Sequence, residues 1–229
     1  MRNYPDPELF DRARRELYSA VIGDVLDHFG RRHQFLPPEI RPLRDDMIVV
    51  GRAMPVLEIA AGSEAASREG SPLPQPFGLM LRALDDLKPG EVYVCASGAS
   101  GAYASWGELM TVCARNRGAP GVVIDGWSRD TRGVLALDFP CFSRGPYAQD
   151  ARTRGTVADF RCPGRIGAAD VRPGDVIFGD LDGVVVVPRE MEADVFTAAW
   201  EKATGEKRVF EAIKAGMGAE EAWDRYGIF

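Results

Sequence analysis

Residues 107–130 read GELMTVCARNRGAPGVVIDGWSRD, and their order of residue types decides the class of fold. Glu108 stands where a helix would begin, and residues 108–117 carry an apolar helical face with Leu109, Val112 and Cys113 expected inside. A short apolar strand, Val122 to Ile124, continues through Asp125 to Gly126, and Arg129 and Asp130 come just beyond. Helix starts and strand ends that face each other are where open α/β folds collect small anions and metals. The stretch therefore predicts an α/β fold, with Glu108, Arg129 and Asp130 as candidate site residues.

Working outward, residues 97–105 form a glycine-rich loop whose small side chains let backbone approach a ligand. It lacks the Gly-Lys-Ser/Thr ending of a P-loop and the GxGxxG of a dinucleotide fold. Lys88-Pro89-Gly90 turns the chain into a strand at 91–96, and Arg172-Pro173-Gly174 does the same before 175–178. A short helix is expected at 78–87, strands at 47–56 (Pro55 near the end) and 139–142, and a loop over 30–44. The 65–77 segment, with Pro72, Pro74 and Pro76, reads equally as a mobile rim and as an ordered surface crossing. Helices are expected over 8–29, where Leu17, Val21, Val25 and Phe29 share one side, and over 190–216 and 219–226. Alternating strands and helices, then a strand-rich portion to about 187, give one α/β domain across 1–229 with an N-terminal helix and a C-terminal helical tail.

The bulk numbers narrow the partners. A chain of 229 residues that is 45% apolar can bury a substantial core. Its net charge of −6 comes from mixed signs without a basic block, which argues against nucleic acid and against an anionic membrane surface. No run of eighteen apolar residues is present, so no membrane span is expected. The opening MRNYPDPELFDRARR lacks the apolar region of a secretory signal, and Cys95, Cys113, Cys141 and Cys162 are widely spaced. A cytoplasmic protein with free thiols and no zinc site is the expectation.

Each candidate has a bland reading. Glu108 in a first helical turn is favoured by the helix dipole, while the N–H groups of Leu109 and Met110 stay open to a ligand. Arg129 offers a planar fork for a carboxylate and Asp130 a cation ligand, although adjacent Arg and Asp also form ordinary surface pairs. Asp24 and Asp27 share a helix side and read mainly as solvated acids; His28 reads as surface or subunit packing. Trp106 and Trp127 suit a pocket wall or a core. Asp180 and Asp182 lack the remaining positions of a calcium loop.

LYSAVIGDVLDHFG (17–30), WGELMTVCARNRGAPGVVIDGWSRD (106–130) and VRPGDVIFGDLDGVVVVPRE (171–190) together resemble the RraA-like proteins. These include the 4-hydroxy-4-methyl-2-oxoglutarate and 4-carboxy-4-hydroxy-2-oxoadipate aldolases. The resemblance spans most of residues 15–205 and implies a single-domain α/β/β sandwich of the swivelling type, assembled as a homo-trimer or hexamer. The aldolase signature is an acidic residue, twenty intervening residues and Arg-Asp; Glu108 and Arg129-Asp130 reproduce it, with Glu where Asp is usual. By that likeness Arg129 would bind and polarise a 2-oxo acid substrate. Asp130 would hold Mg²⁺ or Mn²⁺, with Glu108 supporting through water. Backbone at Gly107, Leu109 and Met110 would receive the pyruvate carboxylate. A glutamate from a neighbouring subunit would join, Glu192 and Glu201 being the candidates.

The implied activity is metal-dependent cleavage of a 4-hydroxy-2-oxo acid to pyruvate and a second carbonyl compound, with oxaloacetate decarboxylation by the same logic. Alternatives are a metal enzyme on another hydroxy or oxo acid, and a regulatory protein that binds a ribonuclease. The 65–77 segment with Arg68, and the rim Phe142-Ser143-Arg144-Gly145-Pro146-Tyr147, depart from the simple aldolase pattern. They put the substrate's far end in doubt more than its 2-oxo acid head.

Overall fold

The 107–130 stretch folds as helix then strand in the computed structural model, which describes residues 6–60, 77–97 and 102–229. In chain order the elements are α1 (Asp6–Glu16), α2 (Ser19–His28), β1 (Arg41–Pro42), β2 (Val49–Ala60), α3 (Met80–Asp86), β3 (Glu91–Ala96) and β4 (Ala104–Trp106). Then come α4 (Glu108–Asn116), β5 (Val122–Ile124), β6 (Trp127–Ser128), α5 (Thr131–Ala136), β7 (Cys141–Ser143) and β8 (Gly155–Phe160). The chain closes with β9 (Gly164–Ile166), β10 (Ala169–Val171), β11 (Val176–Asp180), β12 (Gly183–Val187), α6 (Glu192–Lys214) and α7 (Ala219–Tyr226).

One mixed sheet organises these elements, in the order β1-β7-β5-β3-β2-β11-β12, with β8 paired to the far half of β2. The β7-β5-β3-β2 portion is parallel, as helical crossovers require, and β11 and β12 join antiparallel. The sheet is nearly closed: Arg41 of β1 donates to Leu181 O at 3.0 Å, across to the turn between β11 and β12. Its interior holds Val49, Val94, Phe142 and Ile177, plugged by Ile166 and Val171 of the β9–β10 hairpin. Outside, α1, α2 and α6 cover β11 and β12, while α3 and α4 cover β2, β3 and β5. Residues such as Val184 to Val187 are therefore buried on both faces, which explains the unbroken β-branched run. This α/β single domain of helices, sheet and hairpin is the layered architecture that the resemblance implied.

Several local expectations change for identifiable reasons. The helix over 8–29 is two helices, because Tyr18 is extended and the Asp180 carboxylate accepts Ser19 N–H at 2.7 Å and Ser19 Oγ–H at 2.6 Å. Asp180 is thus a helix cap supplied from the far end of the chain. The 47–56 strand runs on to Ala60, with Pro55 where β2 changes antiparallel neighbours from β11 to β8.

Helix α4 is rotated from the expected phase. Thr111 and Ala114 are its buried residues, whereas Leu109 is 82% exposed and Val112 and Cys113 face outward. Thr111 fits inside because its hydroxyl accepts Trp106 Nε1–H at 2.8 Å and donates to Gly107 O at 3.0 Å. The 65–77 segment, Phe77 apart, lies outside the described residues, as do residues 98–101 of the glycine-rich loop. No helix among the described residues is long and apolar enough to cross a membrane. The four cysteines are free.

Candidate active site

Strands β4 and β6 stand apart from the main sheet as a short parallel ladder, Ala104 opposite Trp127 and Trp106 opposite Ser128. Arg129 N–H extends it, donating to Trp106 O at 2.9 Å. Gly107 and Arg129 are thereby neighbours although they are far apart in sequence. A side chain at 107 would place its Cβ 2.7 Å from Asp130 Oδ2, so only glycine fits there without displacing the carboxylate.

Asp130 turns the chain from β6 into α5 with φ +56° and ψ +34°, a left-handed conformation uncommon outside glycine. That turn lets both halves of the Arg-Asp pair reach the same place. Asp130 Oδ2 lies 3.4 Å from Glu108 N, at the N-terminus of α4, and 3.6 Å from Arg129 Nε. Arg129 Nη1 lies 3.6 Å from Asp150 Oδ1, a residue of the connection between β7 and β8. These ion-pair distances exceed those of close hydrogen bonds, so the guanidinium remains available to a stronger carboxylate partner. Asp150 Oδ1 also accepts Arg152 N–H at 3.1 Å.

A cavity of about 280 Å³ opens here. Its mouth holds Gly107, Leu109, Met110, Arg129, Asp130 and Asp150, and its walls include Met80, Leu84, Cys113 and Val157. The structure so brings together the residues the sequence proposed, except for the Glu108 side chain. The Glu108 carboxylate is turned onto α5, where it fills the space a Cβ on Gly133 would need. Trp106 is a core residue, its ring 5.1 Å from that of Tyr93, and Trp127 stands 6.0 Å from Tyr147 on the rim. Of the two glutamates considered for a neighbouring site, Glu192 is engaged by Arg52 of its own chain. Asp24 pairs with Lys202 at 3.3 Å.

Sequence reasoning missed Glu58. It follows a bulge in β2 between Leu57 and Glu58, and it is 6% exposed while Leu57 is 36% exposed. Bulges re-aim side chains, and this one turns a carboxyl inward. Glu58 Oε1 accepts Ser105 Oγ–H at 3.0 Å, and Oε2 accepts the Cys95 thiol at 3.4 Å. Burial pushes the carboxyl above its ordinary range, more than the hydrogen bonds from Ser105 and Cys95 pull it down. The Cys95 thiol is likewise pushed up by burial. A lone acid in the apolar run Pro55-Val56-Leu57-Glu58-Ile59 was the available signal.

Asp125 and Arg144 hold the frame. The Asp125 carboxylate is buried and accepts Arg144 Nε–H at 3.0 Å and Nη2–H at 2.8 Å, while Arg144 N–H donates to Gly126 O at 2.7 Å. The basic residue of the 142–147 rim therefore ties down the turn that presents Trp127 to Asp130.

Fitness for a divalent ion follows from the donors present. Among the described residues no three His, Cys, Asp or Glu side chains gather as a cage. Mg²⁺ does not need one: it keeps several waters and takes one or two carboxylates plus ligand oxygens. Asp130, half-exposed at the mouth, is a hard oxygen donor of that kind.

A family model described as RraA-like, Aldolase/RraA, matches residues 19–186. A protein of Halalkalibacterium halodurans provisionally named 4-hydroxy-4-methyl-2-oxoglutarate aldolase is 31% identical over 209 residues, 91% of this chain and 90% of its own length. A solved structure of an uncharacterized protein from Pseudomonas syringae pv. tomato matches with TM-score 0.82 at 29% identity, covering 96% and 94% of the two chains. Streptomyces coelicolor RraAS2, described as an unusual member of the RNase ES inhibitor RraA family, shares the fold, with TM-score 0.76 at 23% identity over 90% of this chain and 98% of its own.

Proposed function

This chain belongs to the RraA-like family, and on that premise we propose that it is a divalent-metal-dependent carbon–carbon lyase releasing pyruvate from 4-hydroxy-2-oxo acids. The observation that carries the proposal is the convergence of Arg129, Asp130 and the N-terminus of α4 on one small cavity. Decarboxylation of oxaloacetate is a side activity of the same site.

The 2-oxo acid head binds at the mouth. Arg129 takes the substrate carboxylate with its fork, and the N–H groups of Leu109 and Met110 at the positive end of α4 receive carboxylate oxygens. Asp130 would hold Mg²⁺ or Mn²⁺, Glu108 joining through water only if its carboxylate swings back from α5, and the bound ion would supply Lewis-acid stabilisation of charge on the 2-oxo oxygen. When the C3–C4 bond breaks, its electron pair stays on C3 and the C4 oxygen becomes a carbonyl. The 4-hydroxyl proton passes to water held by the mouth carboxylates, and C3 takes up a proton to give pyruvate. No lysine lines the cavity among the described residues, so this route uses no Schiff base.

Assembly as a homo-trimer or hexamer belongs to the same reading. Leu109 and Val112 lie exposed beside the cavity mouth, an apolar strip suited to a second subunit. The test of function is a coupled pyruvate assay over several 4-hydroxy-2-oxo acids and oxaloacetate, with Mg²⁺, Mn²⁺ or EDTA. Metal-dependent pyruvate release is expected; no release from any of them overturns the proposal.

A further inference from the structure

The cavity has two unlike ends. Its exposed mouth is charged, with Arg129, Asp130, Asp150 and Arg152, and its buried side is apolar apart from Glu58, Ser105 and Thr156. Among the described residues no lysine or arginine pairs with Glu58; its hydrogen-bond donors are Ser105 and Cys95, both uncharged. The place for its carboxyl is built in, because a Cβ on Gly155 of β8 would overlap Glu58 Oε1 and the Tyr103 ring. A ligand with its carboxylate on Arg129 therefore extends its other end toward a buried carboxyl that no lysine or arginine among the described residues pairs with.

We propose that Glu58 is a specificity-determining residue that restricts the inner end of the cavity to an uncharged substrate tail, hydrogen-bonding a hydroxyl or carbonyl oxygen there and rejecting a second carboxylate. The substrate class is then a 4-hydroxy-2-oxo monoacid with an alkyl or other neutral tail, and dicarboxylic analogues are disfavoured. This inference rests on the head placement given under the proposed function. Physically, a carboxylate tail would be desolvated without a counter-cation, against a group that must keep its own proton to tolerate it. Burial already holds the Glu58 proton more tightly than in water, which suits a neutral donor. The other titratable groups around it, the Cys95 thiol and Tyr93 hydroxyl of β3 and the Tyr103 hydroxyl, are pushed upward too, chiefly by burial. Arg129, Asp130, Asp150 and Arg152 line the same cavity on its exposed side.

Calorimetric titration of the full chain in Mg²⁺ with 2-oxopentanoate and 2-oxoglutarate tests this without turnover. These acids share the head, differ in a methyl against a carboxylate, and lack the 4-hydroxyl. The expected result is at least tenfold tighter binding of 2-oxopentanoate, with a larger ratio at pH 8 than at pH 6. Glu58→Gln keeps the shape and cannot ionise. It should narrow the ratio at least fivefold, remove its pH dependence and leave 2-oxopentanoate affinity within twofold. Gly155→Ala, whose new Cβ displaces the Glu58 carboxyl, should weaken 2-oxopentanoate at least fivefold while oxalate, a head analogue alone, changes less than twofold. Equal affinities in the wild type, an unchanged ratio in Glu58→Gln, or binding of neither acid overturns the inference. Discrimination that persists in a protein releasing no pyruvate sinks the lyase reading and leaves this one standing.

Discussion

Asp130 and Glu58 are carboxylates of one cavity in opposite surroundings. Asp130 is half-exposed, beside a guanidinium and the amide end of a helix. Glu58 is buried among a thiol and hydroxyls, and among the described residues no cation pairs with it to offset the loss of water. The same chemical group thus meets water, a guanidinium and a helix N–H at the mouth, whereas at the floor burial biases it toward the neutral acid. The difference teaches that environment, not residue type, assigns the roles in this site.

The harshest way to break the contrast is Asp130→Ala. It removes the anion from the mouth and puts alanine into a left-handed turn, so pyruvate release should fall by about 10³-fold. Steady-state kinetics across metal concentrations would check it; activity within tenfold of wild type would place the cation elsewhere. Arg129→Lys comes next, with an expected loss of about 10²-fold in kcat/KM, since a point charge does not reproduce a two-pronged grip on carboxylate. Gly107→Ala pushes directly on Asp130 Oδ2 and should cost about tenfold in activity with little change in melting temperature.

Glu58→Gln sharpens the other half of the contrast through stability. Burial raises the Glu58 carboxyl in the folded chain relative to the unfolded one, so the folded state binds that proton more tightly. The resulting stabilisation is full at low pH and is lost as pH climbs through the folded value. Thermal melts between pH 5 and pH 8.5 should therefore decline less in Glu58→Gln than in wild type; parallel declines would show that Glu58 ionises freely. The smallest effect belongs to Leu109→Ser. An exposed side chain at a helix start should change monomer stability by no more than about 0.5 kcal/mol, while light scattering reports weakened assembly.

Much of this contrast was half legible from the residues in order. The mouth was, because Glu108, Arg129 and Asp130 sit at the ends of short elements whose punctuation is local: strand 91–96 and the start of α4 fall where the pattern put them. The floor was not. Glu58 becomes a buried acid only through a bulge opposite β8, a thiol on β3, a hydroxyl on β4 and the missing side chain of Gly155, all distant in sequence. The break between α1 and α2 was hidden for the same reason, since its cap is Asp180. The phase of α4 was misread because hydrophobicity favoured Leu109 and Val112, whereas the inward position went to Thr111, satisfied by Trp106 and Gly107. Where a partner lies across the fold, local pattern carries no information about it.

The β4–β6 ladder, set apart from the main sheet, has a consequence for descent. Arg129 and Asp130 are part-exposed at the edge of that ladder, so their replacement leaves the buried core intact. A lineage can thus discard catalysis, keep an equally durable shell, and put its outer faces to other uses without having to reinvent a folding nucleus.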